Sequence, residues 1–500
     1  MNYLIKFPLI ALLMFAFIAC QNNDKSSVET PQQFDEKFRP QYHFTPPSNW
    51  MNDPNGMVYF EGEYHLFYQY HPDGNTWGPM HWGHAISKDL VSWEHFPIAL
   101  FPDEHGTIFS GSAVIDHQNT SGLGSVENPP MVAIFTYHDA EGEKAGRKDF
   151  QIQGIAFSLD KGRTWEKYES NPVLSNPGII DFRDPKVIWH EESSMWVMSL
   201  AVKDKISFYT SSNLIEWIYQ SDFNPVWAAY GGVWECPDLF PLKTAEGEEK
   251  WVLLVSINPG GPNGGSATQY FVGDFDGEVF RSETTVTKWI DYGADNYAGV
   301  TWSDIPEEDG RRLFLGWMSN WLYAQEVPTE EWRSAMTLPR SLELQQHGTD
   351  FNLASRPVAE LKKLRSKSME VTGELINLDS DLLEIGLESL GGDFEMVFSN
   401  NEGDNLLITK VGDEISIDRS QSGLVDFSDQ FPAVHRIPLL GIQVKDIRIF
   451  LDRSSIEIFI NDGESVITEL IFPTSAYTVL SLQGIDPKVQ IHHLKSIWGK

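Results

Sequence analysis

Cysteine is almost absent from this 500-residue chain, whose only two thiols are Cys20 and Cys236. A disulfide-stapled scaffold is excluded, and a chain of this length can bury enough core to need none. Basic side chains are also scarce: 37 Lys and Arg face 71 Asp and Glu, a formal net charge of −34. That balance argues against a nucleic-acid partner, which requires clustered Lys and Arg. It suits a soluble protein acting on a neutral substrate, and it bears on solubility rather than on fold. Missing too is any long stretch of helical periodicity. The apolar run from Leu9 to Ala19 is too short to span a membrane comfortably.

That run follows the basic start at Lys6 and ends Phe17-Ile18-Ala19-Cys20, which resembles a bacterial lipoprotein box. The resemblance implies a signal peptide over 1–19, cleavage before Cys20 and lipidation of its thiol; the alternative is ordinary secretory cleavage. Loss of Lys6 with the signal takes the formal charge from −34 to −35 and leaves Cys236 as the one free thiol. Residues 20–40, polar and rich in Gln, Asn, Ser and acids, then read as a tether. The expected location is the bacterial cell envelope, lipid-anchored, with no other contact with a membrane.

Aromatic residues are plentiful at 13%, with 17 Trp. They suit blade packing, and they also suit stacking on the apolar faces of sugar rings. From 41 to 345 the chain is a succession of short strands broken by Gly, Pro, Asn and Asp, among them Tyr64-Tyr70, Met131-Tyr137, Trp196-Val202, Trp251-Ile257 and Leu313-Ser319. The pattern is all-β. A weak repeat runs through it: Ser87-Lys88-Asp89 precedes Trp93, Ser158-Leu159-Asp160 precedes Trp165, and Ser211-Ser212-Asn213 precedes Trp217. Roughly 300 residues in units near 60 give about five, which favours a five-bladed β-propeller over a long sandwich. Residues 346–367 read as a linker, and cleaner alternation over 368–500, with a hairpin turn at Asp462-Gly463, predicts a C-terminal β-sandwich.

Three acidic motifs lie in separate strand-turn units: Asp53 in Asn52-Asp53-Pro54-Asn55-Gly56, Asp184 in Arg183-Asp184-Pro185, and Glu235 in Glu235-Cys236-Pro237. Pro54 fixes the backbone after Asp53, and Asn55-Gly56 reads as a hairpin turn. Because the first strands of propeller blades converge on a central channel, one acid per blade would meet its fellows in a single pocket.

With Phe109-Ser110-Gly111-Ser112, Tyr297-Ala298-Gly299, Trp317-Met318-Ser319-Asn320-Trp321 and Arg333-Ser334-Ala335-Met336, these motifs resemble glycoside hydrolase family 32, the invertase, inulinase and levanase family. The resemblance spans essentially the whole mature chain. It implies the same propeller and sandwich, and a retaining hydrolase of terminal β-fructofuranosyl units from fructans, exo-acting. An endo-levanase with an open groove and a non-catalytic fructan-binding lipoprotein are the alternatives. By resemblance Asp53 is the nucleophile, Glu235 the acid/base that must carry a proton when substrate binds, and Asp184 a transition-state stabiliser. Asn52, Gln69, Trp77, Phe109, Ser110, Arg183 and Trp317 match positions lining the first fructose subsite, and Asp295-Asn296-Tyr297 is a weaker candidate. The spacing of His65, His71, His81 and His84 fits no defined metal site, and the family implies neither metal nor cofactor.

Overall fold

Short β-branched and aromatic runs alternating with turn formers can satisfy their backbone only by pairing with neighbours, and the strands pack into two bodies of sheet. The computed structural model describes residues 34–348, 350–485 and 487–498. The signal segment 1–19, Cys20 and the tether up to residue 33 lie outside the described residues.

The first body is a five-bladed propeller. Each blade is built on an antiparallel ladder, and the innermost strands are Asn49–Phe60, Thr107–Ile115, Phe182–His190, Val233–Lys243 and Tyr297–Thr301. The five runs named from the sequence are the second strands of the five blades: Glu63–His71, Met131–His138, Met195–Val202, Glu249–Asn258 and Arg312–Met318. They are buried along most of their length, as strands covered on both faces must be. The weak repeat is also structural. Ser87–Asp89, Ser158–Asp160 and Ser211–Asn213 turn the chain from the third strand to the fourth in the first three blades. There Asp89, Asp160 and Asn213 accept backbone N–H groups of Ser92, Thr164 and Glu216 at 2.8, 2.9 and 2.9 Å, the Asx-turn chemistry that favours these residue types.

Closure of the ring falls to Arg333-Ser334-Ala335-Met336. Trp332–Arg333 pairs parallel with Asn49 and Trp50 of the first blade, and Ala335–Met336 pairs with Trp317 and Met318 of the fifth.

Two expectations change. Asn55-Gly56 is not a hairpin turn; the strand runs on to Phe60 and turns at Glu61-Gly62, both at positive φ. Gly56, at φ +52, sits instead where pairing with the second strand slips. The expected linker at 346–367 is mostly structured: Asp350–Pro357 is the outer strand of the fifth blade, and a 3₁₀ turn over Ala359–Leu364 leads to the sandwich.

The second body has two six-stranded sheets around a core of Ile, Leu, Phe and Val, and its first strand is Arg365–Val371. Asp462-Gly463 does turn a hairpin, between Ser455–Ile460 and Ser465–Leu470. Where this body meets the propeller, charges are buried in pairs. Arg340 reaches Asp291 and Glu457 at 3.0 and 2.6 Å, and Arg419 reaches Asp295 and Glu469 at 2.7 and 2.8 Å. The end of the expected tether docks on this assembly: Phe34 stacks on Trp498 at 4.2 Å, and Arg39 is fully buried against Trp332. An aromatic ring and a satisfied guanidinium give this polar-looking stretch its anchorage.

Candidate active site

All five innermost strands break register near the end where they enter the channel: at Asp53 and Gly56, between Ile108 and Gly111, at Asp184, between Glu235 and Asp238, and between Tyr297 and Val300. A bulge lets a strand re-aim one side chain out of its alternation. Asp184, Cys236 and Ala298 pass through positive φ there (+63, +45 and +52), conformations that cost non-glycine residues and that cluster at functional sites. Pro54, Pro185 and Pro237 occupy the same breaks, where a missing N–H costs no ladder bond.

The bulges bring the acids together. A cavity of about 60 Å³ is lined by Asn52, Asp53, Gln69, Trp77, Phe109, Ser110, Arg183, Asp184, Glu235, Tyr297 and Trp321. Every residue expected at the site is there except Trp317. That indole is fully buried behind the wall, packed on Trp50, Tyr297 and Trp321 at centroid distances of 6.0, 6.4 and 4.9 Å. Trp317 still belongs to a strand and points into the blade, whereas Trp321, past the strand end, reaches the pocket. Tyr297 and Trp321 both lie in quoted motifs, and nothing short of the fold distinguishes which ring of such a motif faces a ligand. Of the weaker candidates, Asp295 instead pairs with Arg419 and Asn296 bonds Asp291 at 3.1 Å.

Asp53 accepts from Ser110 Oγ at 2.7 Å and from Asn52 Nδ2 at 2.9 Å. Asn52 is held in turn by the Trp50 indole N–H at 2.7 Å. Burial pushes the Asp53 carboxyl up, the Ser110 and Asn52 bonds hold it back, and the Glu235 charge adds to the rise. Arg183 donates from Nη2 and Nε to one oxygen of Glu235, at 2.9 and 3.1 Å, and the Tyr297 hydroxyl donates to the other. Burial would lower Arg183, but the carboxylates of Glu235, Asp184 and Asp181 more than offset it, so the guanidinium stays charged. Burial first, then the Glu235 charge, raises the Tyr297 phenol, which keeps its proton.

Asp184 accepts the Cys236 backbone N–H at 3.1 Å. It is pushed up to about 7 by burial, against the pull of Arg183 and with the charges of Glu235 and Asp53 behind it. The Cys236 sulfur lies 3.5 Å from Asp53 and 3.6 Å from Asp184. Burial and both carboxylates raise this thiol well above its ordinary range, so it acts as a small protonated neighbour and not as a nucleophile. Behind the wall, Phe109 stacks on His138 at 4.2 Å, and the Gln151 amide oxygen takes the Phe182 N–H at 2.8 Å, fixing the strand that carries Arg183 and Asp184. His65 and His84 stack on each other and on Phe67, while His71 and His81 bond nearby carbonyls.

Comparison with known proteins identifies the family. The family model described as glycosyl hydrolases family 32 N-terminal domain matches residues 43–357, and the corresponding C-terminal model matches 341–497. A levanase of Bacillus subtilis is 50% identical over 494 residues, 93% of this chain and 72% of the levanase. An extracellular exo-inulinase of Aspergillus awamori is 39% identical, covering 93% of this chain and 96% of that protein. The crystal structure of exo-inulinase from Aspergillus awamori superposes with a TM-score of 0.85 at 37% identity, over 93% of this chain and all of the other (100%). The chain belongs to glycosyl hydrolase family 32.

Proposed function

We propose that this glycoside hydrolase removes terminal β-D-fructofuranosyl units from fructans such as levan and inulin, with retention of configuration. The observation that supports the reading is the pocket itself: three carboxylates and one guanidinium converge on a space of about 60 Å³ lined by Trp77, Phe109 and Trp321. A recess where the inner strands enter the channel supports capture of a chain end, which favours exo action.

The Asp53 carboxylate attacks the anomeric carbon from one face, forming a fructosyl ester while the glycosidic bond breaks. Glu235 delivers its proton to the departing oxygen, then removes one from the water that cleaves the ester. Ser110 and Asn52 aim the nucleophile. Arg183 and Tyr297 orient Glu235, and Asp184 favours the positive charge of the oxocarbenium-like state while binding sugar hydroxyls. Asn52 and Gln69 read the remaining hydroxyls.

Products separated by size through a time course on levan and inulin test the reading. Free fructose from the first minutes supports an exo enzyme. Early oligosaccharides would instead mean an endo-levanase, and no cleavage would leave only a fructan binder. The lipoprotein box supports anchoring through Cys20 to the cell envelope; mass spectrometry of the mature N-terminus should find a diacylglyceryl thioether, and an unmodified N-terminus elsewhere would refute it.

A further inference from the structure

The catalytic pocket uses only one mouth of the propeller channel. At the other, where the innermost strands end, the structure opens a chamber of about 490 Å³, far larger than the catalytic pocket and within the range of small-molecule sites. Between them Pro54, Pro185 and Pro237 close around a space of about 10 Å³, about enough for one water and too narrow for a sugar to pass. The far chamber is therefore neither an exit for product nor part of the pocket above.

Its walls combine two chemistries. Trp189 and Trp251, both partly exposed, and Phe240 supply aromatic surface. Recessed among them is the Arg312 guanidinium, over the Phe240 ring at 5.1 Å. Its one hydrogen bond among the described residues is a long 3.4 Å contact to the Trp302 carbonyl, so most of its fork of donors is unspent. The neighbouring Lys186, by contrast, is occupied by the Thr301 carbonyl at 2.6 Å and by Asp238 at 3.3 Å. The rim carries three exposed carboxylates, Glu191, Glu192 and Glu249, which repel anions and accept hydroxyl protons.

We propose that this chamber is a second carbohydrate-binding site, taking a small neutral sugar whose ring lies on the indoles, whose oxygens accept from Arg312 and whose hydroxyls donate to the rim glutamates. An anion would satisfy Arg312 but would have to pass the acidic rim of a chain already at −34.

The site can be counted in full-length Asp53→Asn, which removes turnover, by calorimetry and saturation-transfer NMR with fructose and a fructose trisaccharide. Two equivalents per chain are expected. Adding Arg312→Met, or Gln118→Trp at an exposed position on the rim, should weaken the second equivalent at least tenfold; on the native background each should leave hydrolysis within twofold. Gln118→Trp lies outside the core and decides the matter if Arg312→Met does not fold. Sugar binding that neither chamber variant weakens, whether one equivalent or two, or inorganic phosphate binding there while sugars do not, would overturn the proposal. None of these outcomes depends on what the catalytic pocket hydrolyses.

Discussion

Asp53 and Glu235 are set apart by their partners, and the two roles proposed for them are separately testable. Asp53 is held by a hydroxyl and an amide, while Glu235 is gripped by a guanidinium and a phenol. Glu235→Gln should lower kcat on fructan by about 10²–10⁴, the usual worth of a general acid. Asp53→Asn should lower it further while fructan binding persists; steady-state kinetics beside calorimetry would check both, and unchanged turnover in Asp53→Asn would remove the nucleophile from the scheme. Asp184 makes a prediction about pH. Its folded-state value is about 7 against an ordinary 3.8, so between those values the folded chain keeps a proton that the unfolded chain has released. Stability from this group therefore falls as pH rises through that window. Asp184→Asn should gain thermal stability over the parent at pH 8, gain little at pH 4, and lose activity at both; parallel melting curves would show it. The acids themselves were legible in the sequence because proline and turn residues bracket them. Their charge states were not, because Arg183, Cys236 and Tyr297 arrive from different blades.

At the scale of the element, the bulged inner strand is the device that makes a site. Ordinary alternation would send neighbouring side chains to opposite faces, and the register break at Asp53 and Gly56 turns the acid into the channel. The Asn55-Gly56 pair misleads a sequence reading for this reason: the same positive-φ chemistry serves a hairpin turn and a bulge, and only the partner strand decides between them. A Cβ at Gly56 would meet Phe67 and Trp82 at 2.7 Å while the backbone sits at φ +52. Gly56→Ala should therefore cost about 2 kcal/mol, from strain plus overpacking, and should lower kcat by moving Asp53. Denaturant midpoints and activity, measured together, test both halves. The repeated Ser-x-Asp/Asn turns, by contrast, were readable as they stood, since each is closed by hydrogen bonds within a few residues.

The whole molecule is held by contacts that span it. His43, just before the first blade, lies between Asp452 and Glu457 of the sandwich at 2.8 and 3.0 Å. Burial alone would lower it, yet those two carboxylates lift it to about 9 from 6.5. A raised histidine stabilises fully below its unfolded value and ceases to as pH climbs through the folded one. His43→Gln should thus cost about 3 kcal/mol at pH 6, the rise from 6.5 to about 9 converted at about 1.36 kcal/mol per tenfold, and much less at pH 10. Equal losses at both pH values would show that the pair is not charged in the way described.

What the sequence alone determined was local: the strand-and-turn rhythm of five blades, the alternation of the sandwich, and three acids marked by their prolines. Turn chemistry and side-chain period act over a few residues, so they survive in a linear text. Only the tertiary structure decided that Trp321 and not Trp317 faces the pocket, that Arg340 and Arg419 each find a carboxylate, Glu457 and Asp295, in the other body, and that the channel has a second chamber. Those outcomes depend on ring closure and on bulges that redirect single side chains, which bring together residues separated by tens to hundreds of positions.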